Sequence, residues 1–309
     1  MYRGFPATLV NTIRCPTDGG QVDSDTEDHV IERGSLVCRR CGRVLHVEDG
    51  VVNLLQVQAP IDTTASREVG ARDREASSYD DRHSARWDLE IPSTLAGIPL
   101  AGRSVVDLGC GTGRITVHVI ETARSVVAID FSRRSLEVLA KKIPERAEVG
   151  LVLADVTAVP LAESAFDSVL STQVVEHIPT RETRKRFFEL VRRSMRPDGI
   201  FVCTAYHHDL RSRLGRLDRE GVHESGIYYH RFTRKEIERE MAPHFHVVSV
   251  RPIKVAIPYL VRLPLPWGPV SRLLERIPGV NSLGHLVRVV ARKPSTEPFR
   301  MERSREGAA

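Results

Sequence analysis

The chain has 309 residues, 41% of them hydrophobic and 28% charged, with a formal net charge of +5 and five cysteines. That length holds one full α/β domain plus a smaller module, and the composition excludes a low-complexity disordered chain or a small disulfide-stapled scaffold. No apolar run reaches about 18 residues, and no charged-then-apolar leader opens the chain, so neither a spanning helix nor secretion is expected and a cytoplasmic location is.

In chain order, residues 1–58 hold short apolar runs around two turn-like segments, "RCPTDGG" and "VCRRCGR". Cys38 and Cys41 form a zinc-knuckle spacing. In the first segment Asp18 stands where a second thiolate belongs after Cys15. A carboxylate is a legitimate zinc oxygen ligand, so Cys15, Asp18, Cys38 and Cys41 are the candidate metal set; a ribbon that keeps its fold without metal is the alternative. Residues 59–80 are polar and charged with little periodicity and read as a linker.

From residue 81 to 293 short apolar runs alternate with helical ones, the pattern of a parallel sheet wrapped by helices. "SVVDLG", "SVVAID", "GLVLAD", "FDSVLST" and "IFVCTAY" read as strands. Between them, "SRRSLEVLAKKI" places Leu136, Leu139, Ala140 and Ile143 at helical spacing. "HVVSVRPI" and "LVRVVARK" are two further strands, separated by a proline-rich insertion at about residues 252–284. Five prolines in "VAIPYLVRLPLPWGPVSRLLERIPGV" rule out a regular spanning helix there, leaving a lid, a dimer contact or a lipid-facing surface. Residues 294–309 read as a disordered tail.

"VVDLGCGTGR" ends the first of these strands with Gly109-x-Gly111-x-Gly113 behind Asp107, not with the G-x-G-x-x-G of a dinucleotide loop. A carboxylate beside the loop repels a pyrophosphate and suits an ammonium group, while the helix-start N–H groups suit a carboxylate. Together they describe an amino acid, such as the methionine half of S-adenosylmethionine. Asp130, at the end of the second strand, can accept both ribose hydroxyls, and Asp155, after the third, stands where an adenine amino group needs an acceptor.

"VVDLGCGTGR", "VVAIDFSRRSLEVLAKK", "LADVTAVPLAESAFDSVLSTQVVEHIP" and "LVRRSMRPDGIFVCTAY" together resemble class I S-adenosylmethionine-dependent methyltransferases, in the branch that includes quinone-biosynthesis enzymes. The resemblance covers about residues 79–250 and implies a Rossmann-like α/β fold: a seven-stranded sheet, last strand antiparallel, with helices on both faces. It also implies that Asp107, Gly109, Cys110, Gly111 and Gly113 line the methionine side and that Phe131 and Val156 flank the adenine. Thr172 and Gln173 would sit near the methyl donor, and Tyr79 would cover the cofactor. "LVCRRCGRVLHVEDGVVNLL" resembles ribbon-like domains of the Trm112 type, implying a small β-rich module with a structural zinc.

Methyl transfer needs a base only when the acceptor arrives protonated. His207, after the fifth strand, and His177, in "VVEHIP", are the candidates, with Tyr228, Tyr229 and His230 as further acceptor-pocket residues. The reading is an enzyme acting on a small-molecule acceptor, with a quinone, lipid or natural-product intermediate in view and peripheral membrane contact as a corollary. The alternative is methylation of an RNA base. Residues 181–309 carry about +12 and residues 1–60 about −2, so the basic half suits phosphate but the ribbon does not. A solvated arginine-rich surface explains the same charge.

Overall fold

The computed structural model describes residues 2–55, 63–83, 89–256 and 266–294. Its N-terminal part is built from β1 (Phe5–Pro6), β2 (Val22–Ser24), β3 (Val30–Ile31), β4 (Gly34–Cys38), β5 (Val44–Glu48) and β6 (Val51–Asn53). β1 pairs with β3; β2, β4, β5 and β6 form an antiparallel ribbon. β5 alternates, with Leu45 and Val47 inward and Val44, His46 and Glu48 outward, as a strand with one wet face does.

Helix α1 (Thr63–His83) and the short α2 (Ile91–Leu95) precede the α/β core. That core runs β7 (Ser104–Leu108), α3 (Thr116–Ile120), β8 (Ser125–Asp130), α4 (Arg133–Ala140), β9 (Val149–Leu153), β10 (Phe166–Thr172), α5 (Arg181–Ser194) and β11 (Met195–Tyr206). After it come α6 (Leu210–Leu214), a hairpin of β12 (Glu220–Val222) and β13 (Tyr228–His230), α7 (Arg234–Met241), β14 (His246–Val255), α8 (Trp267–Leu274) and β15 (Gly284–Arg292). β8 and β9 are buried at every position, because helices cover both faces of a parallel sheet. Helices start where side chains meet free N–H groups: Ser132 caps α4, Thr180 caps α5, and Thr233 with Glu236 forms a capping box on α7.

The seven core strands lie in the order β9-β8-β7-β10-β11-β15-β14, with β15 antiparallel to both neighbours. The seven-stranded sheet expected from the sequence is therefore present, but the sheet does not stop there. β6 adds to β9 in parallel, with Val51 opposite Leu151 and Asn53 opposite Leu153, so that among the described residues eleven strands form one sheet.

A second seam reinforces the junction. Arg14 N–H donates to Pro160 O at 2.8 Å, and Ala162 N–H to Thr12 O at 2.8 Å. The fully buried Phe5 lies against Gly150, where even a Cβ would come within 2.6 Å of its ring. Phe5, Ile13, Leu36 and Leu45 from the ribbon share one apolar cluster with Val127, Ile129 and Val152 of the core.

The linker expected at residues 59–80 is corrected: residues 63–83 are helical, while residues 59–62 lie outside the described residues. Residues 257–265 of the proline-rich insertion and residues 295–309 of the expected tail also lie outside them. What is described of the insertion forms the end of β14, α8 and a turn at Val280–Leu283.

Candidate active site

The carboxyl ends of β7, β8, β9, β10 and β11 meet around a cavity of about 410 Å³. Open α/β sheets bind ligands at this edge, where the strand order reverses. The fourth side of the cavity is α1, which presents Glu68, Arg72, Glu75, Ala76 and Tyr79 at helical spacing.

The cavity gathers most of the residues expected from the sequence: Gly109, Cys110, Gly111, Asp130, Phe131, Asp155, Val156, Thr172, Gln173, Tyr79 and His177 line it. Gly111, at φ +53°, has nothing within 4 Å of where a Cβ would stand and so opens the loop to a ligand. Asp130 is fixed at the rim: Oδ2 accepts from Gly111 N–H at 2.8 Å and Oδ1 from Ser132 N–H at 2.9 Å. Burial raises its pKa, and these two donors pull against the rise. Asp155 Oδ1 accepts from the N–H and the hydroxyl of Thr157, both at 2.8 Å.

Three expected residues are elsewhere. Asp107 is 1% exposed and faces α3, where Oδ2 accepts from Thr116 Oγ1–H at 2.7 Å; burial pushes its pKa up to about 6. Its Oδ1 has no hydrogen-bond partner among the described residues. Gly113 serves packing, since a Cβ there would lie 2.3 Å from Leu139 Cδ1. His207 is also absent from the cavity lining. Its Nδ1–H donates to Gly284 O at 2.8 Å, because strand alternation that turns Tyr206 to the cavity turns the next residue away.

His177 lines the cavity and donates Nδ1–H to Tyr228 O at 2.7 Å, its ring edge-on to Tyr206 at 5.7 Å. A carbonyl only accepts, so Nδ1 carries the proton and Nε2 is the lone-pair nitrogen. Burial, reinforced by the Arg72 charge, lowers the His177 pKa to about 3. At neutral pH it accepts hydrogen bonds but is too weakly basic to hold a proton. Tyr228 meets His177 through its carbonyl, while Tyr229 and His230 belong to the β13 hairpin beyond the lining.

Several residues of the site were not legible in the sequence. Glu90, fully buried, joins Arg114, Gln173 Nε2 (2.8 Å) and Lys254 Nζ (2.8 Å). Burial alone would raise its pKa, yet Arg114 and Lys254 hold the carboxyl below the usual range. This hub fixes Gln173, whose backbone sits at φ +57° on the cavity edge. Glu176 is fully buried, neither carboxyl oxygen has a partner among the described residues, and burial pushes its pKa up to about 8. Helix α1 is fastened by two carboxylates. Asp73 accepts from Ser132 Oγ–H at 2.6 Å, and Asp80 accepts from Thr112 Oγ1–H at 2.7 Å and pairs with Lys142.

In the ribbon, ligand atoms of Cys15, Asp18, Cys38 and Cys41 lie within 4.8 Å of one another. The two knuckles share one turn. Gly19 N–H donates to Cys15 O and Gly42 N–H to Cys38 O, and both glycines sit at φ +69°. Asp18 thus occupies the position of Cys41 in its own knuckle, and its Oδ2 is buried without a partner among the described residues. Three thiols and one carboxylate with Cys15 and Cys41 sulfurs 3.6 Å apart suit a tetrahedral zinc ion.

The fold and this edge cavity resemble those of class I S-adenosylmethionine-dependent methyltransferases, and the ribbon ahead of them resembles Trm112. Residues 106–203 match the family described as methyltransferase domain, and residues 7–50 match Trm112p-like protein. A demethylmenaquinone methyltransferase of Clavibacter sepedonicus is 32% identical over 149 residues, 48% of this chain and 57% of that protein. A ubiquinone biosynthesis O-methyltransferase of Rhizobium etli is 37% identical over 109 residues, 34% of this chain and 42% of that protein. The chain spans about half the length of the curated relatives it matches. Among solved structures, a complex between the Haloferax volcanii Trm112 methyltransferase activator and a methyltransferase aligns with TM-score 0.55 at 18% identity, covering 74% of this chain and 99% of that one. The Burkholderia thailandensis 1,6-didemethyltoxoflavin-N1-methyltransferase aligns with TM-score 0.52 at 19% identity, covering 88% and 99%. These structural likenesses show the fold.

Proposed function

We propose that the chain transfers a methyl group from S-adenosylmethionine to a small-molecule acceptor, with an apolar ring compound such as a quinone precursor as the first class to test. The observation that carries this reading is the pair of rim carboxylates, Asp130 and Asp155, at the ends of adjacent strands beside an open glycine loop. The residues fit the cofactor: Gly111 leaves room where a side chain would stand, and Asp130, Phe131, Asp155 and Val156 line the cavity beside it. Asp130 would hold the ribose and Asp155 the adenine amino group, with Phe131 and Val156 on the faces of the base.

When bound, the cofactor supplies a methyl carbon activated by positive sulfur. The chain's own residues then have little acid–base work to do. His177 is neutral and accepts a hydrogen bond, Tyr206 and Tyr79 exclude water, and Thr172 and Gln173 orient the acceptor side. This arrangement supports an acceptor that is already nucleophilic when it arrives. The relatives named for quinone substrates favour a small molecule over RNA. Among the described residues no helix is long and apolar enough to cross a membrane.

Calorimetry tests the reading. S-adenosylhomocysteine should bind, and Asp130→Ala should weaken binding on the order of tenfold or more, the loss of hydrogen bonds to a charged group. No heat with this compound, together with uptake of a nicotinamide nucleotide, would overturn it. Methyl label should then enter the organic-soluble fraction of a cell extract rather than its RNA.

A further inference from the structure

Nine large apolar side chains are exposed among the described residues, and four of them fall within residues 210–222. Leu210 is 38% exposed, Leu214 77%, Leu217 51% and Val222 65%. Leu210, Leu214 and Leu217 follow at i, i+4 and i+7, and every residue from 213 to 220 is exposed, so the segment is a projecting tip. Apolar side chains so clustered on a tip are not the scattered singles of an ordinary surface.

The tip is also basic and firmly based. Arg213 and Arg216 stand between the leucines and Arg219 follows them; Arg219 is drawn to Glu236, but Arg213 and Arg216 have no ion-pair partner among the described residues. Of the two acids in the segment, Asp218 and Glu220, the latter accepts from Tyr228 Oη–H at 3.0 Å. At the base, Arg211 donates to Ala256 O at 2.8 Å and Leu283 O at 2.7 Å, and Asp209 caps α6. The tip leads straight into the hairpin whose Tyr228 carbonyl holds His177 at the cavity.

We propose that residues 210–222 form a membrane-contacting tip that seats on an anionic lipid bilayer, with Leu214 and Leu217 entering the interface and Arg213 and Arg216 pairing with headgroup phosphates. Charge complementarity selects this occupant. A symmetric contact with a second copy would set arginine against arginine. A nucleic acid would meet leucine and valine where stacking needs aromatic rings. Apolar insertion combined with headgroup attraction is how interfacial segments bind. The proposal goes beyond the methyltransferase reading and does not depend on it, because bilayer binding is measured without cofactor or acceptor.

The test is sedimentation of the full chain with vesicles of mixed phosphatidylglycerol and phosphatidylcholine, and with vesicles of phosphatidylcholine alone. The wild-type chain should sediment with the anionic vesicles and bind them at least tenfold better than the neutral ones. Leu214→Glu with Leu217→Glu should cut that binding at least tenfold, and Arg213→Gln with Arg216→Gln should remove most of the anionic preference. These positions are exposed, and S-adenosylhomocysteine calorimetry on each variant reports whether its core is intact. If the chain binds vesicles but not the cofactor analogue, the methyltransferase reading fails and the tip stands. A wild-type chain that stays in the supernatant, a leucine variant that binds as well as wild type, or leucines that prove to bury a dimer contact in gel filtration would overturn the proposal. So would retention of polyuridylic acid by the arginines without vesicle binding.

Discussion

The ribbon and helix α1 both attach to the same core, but by opposite chemistry. The ribbon joins through backbone: β6 extends the sheet on β9, and Phe5, Ile13, Leu36 and Leu45 enter the core's own apolar cluster. Helix α1 touches the core through side chains, with Asp73 and Asp80 as clips and polar residues facing the cavity. Cutting the ribbon away would strip a sheet edge and open a hydrophobic interior. Releasing the helix would break a few part-buried polar contacts. The first junction suits a permanent body and the second a cover that lifts to admit a ligand.

The largest expected effect tests the permanent junction. Phe5→Ala removes a fully buried ring against Gly150 and should cost about 3–5 kcal/mol, lowering the whole chain's thermal transition rather than releasing the ribbon alone. A ribbon transition that separates from an unchanged core transition would break the comparison.

A pH series sharpens it next. Glu176 is buried with its pKa raised to about 8, against 4.5 unfolded. Between those values the folded chain keeps a proton that the unfolded chain releases, so the stability this group allows is full below pH 4.5 and is lost as pH rises toward 8. Glu176→Gln should therefore raise the Tm of the common body more at pH 9 than at pH 5. An equal gain at both pH values would contradict the buried, protonated carboxyl.

The smallest effect belongs to the cover. Asp80→Ala removes partly exposed contacts to Thr112 and Lys142 and should cost about 0.5–1.5 kcal/mol or less in global stability. It should weaken S-adenosylhomocysteine binding several-fold, chiefly through faster dissociation in stopped-flow traces. A loss of stability as large as that of Phe5→Ala would place α1 in the permanent body.

How much of this was visible in the sequence follows from the same physics. Strands buried on both faces read as unbroken apolar runs, so β7, β8, β9, β10 and β11 and the loops after them were legible. Helix α1 was not, because a helix facing a ligand cavity carries Glu68, Arg72, Glu75 and Tyr79 on its inner side instead of an apolar stripe. Their i, i+4, i+7, i+11 spacing was the signal available. The Glu90 hub was hidden by distance, its partners Arg114, Gln173 and Lys254 lying 24, 83 and 164 residues away. His207 lies off the cavity because its neighbour Tyr206 takes the cavity side of the strand, an alternation that the spacing alone does not phase. The ribbon's union with the sheet rests on "VVN", three residues that carry no sign of which edge they will meet.

That union has a consequence for synthesis. Val51 pairs with Leu151, about 100 residues downstream, so the ribbon leaves the ribosome well before its docking strand exists. At typical translation speeds of about 5–20 residues per second, β6 waits roughly 5–20 s with an open hydrogen-bonding edge and with Phe5 and Ile13 bare. During that interval the nascent ribbon is a natural client for a chaperone, and its hazard is pairing with the wrong polypeptide rather than unfolding.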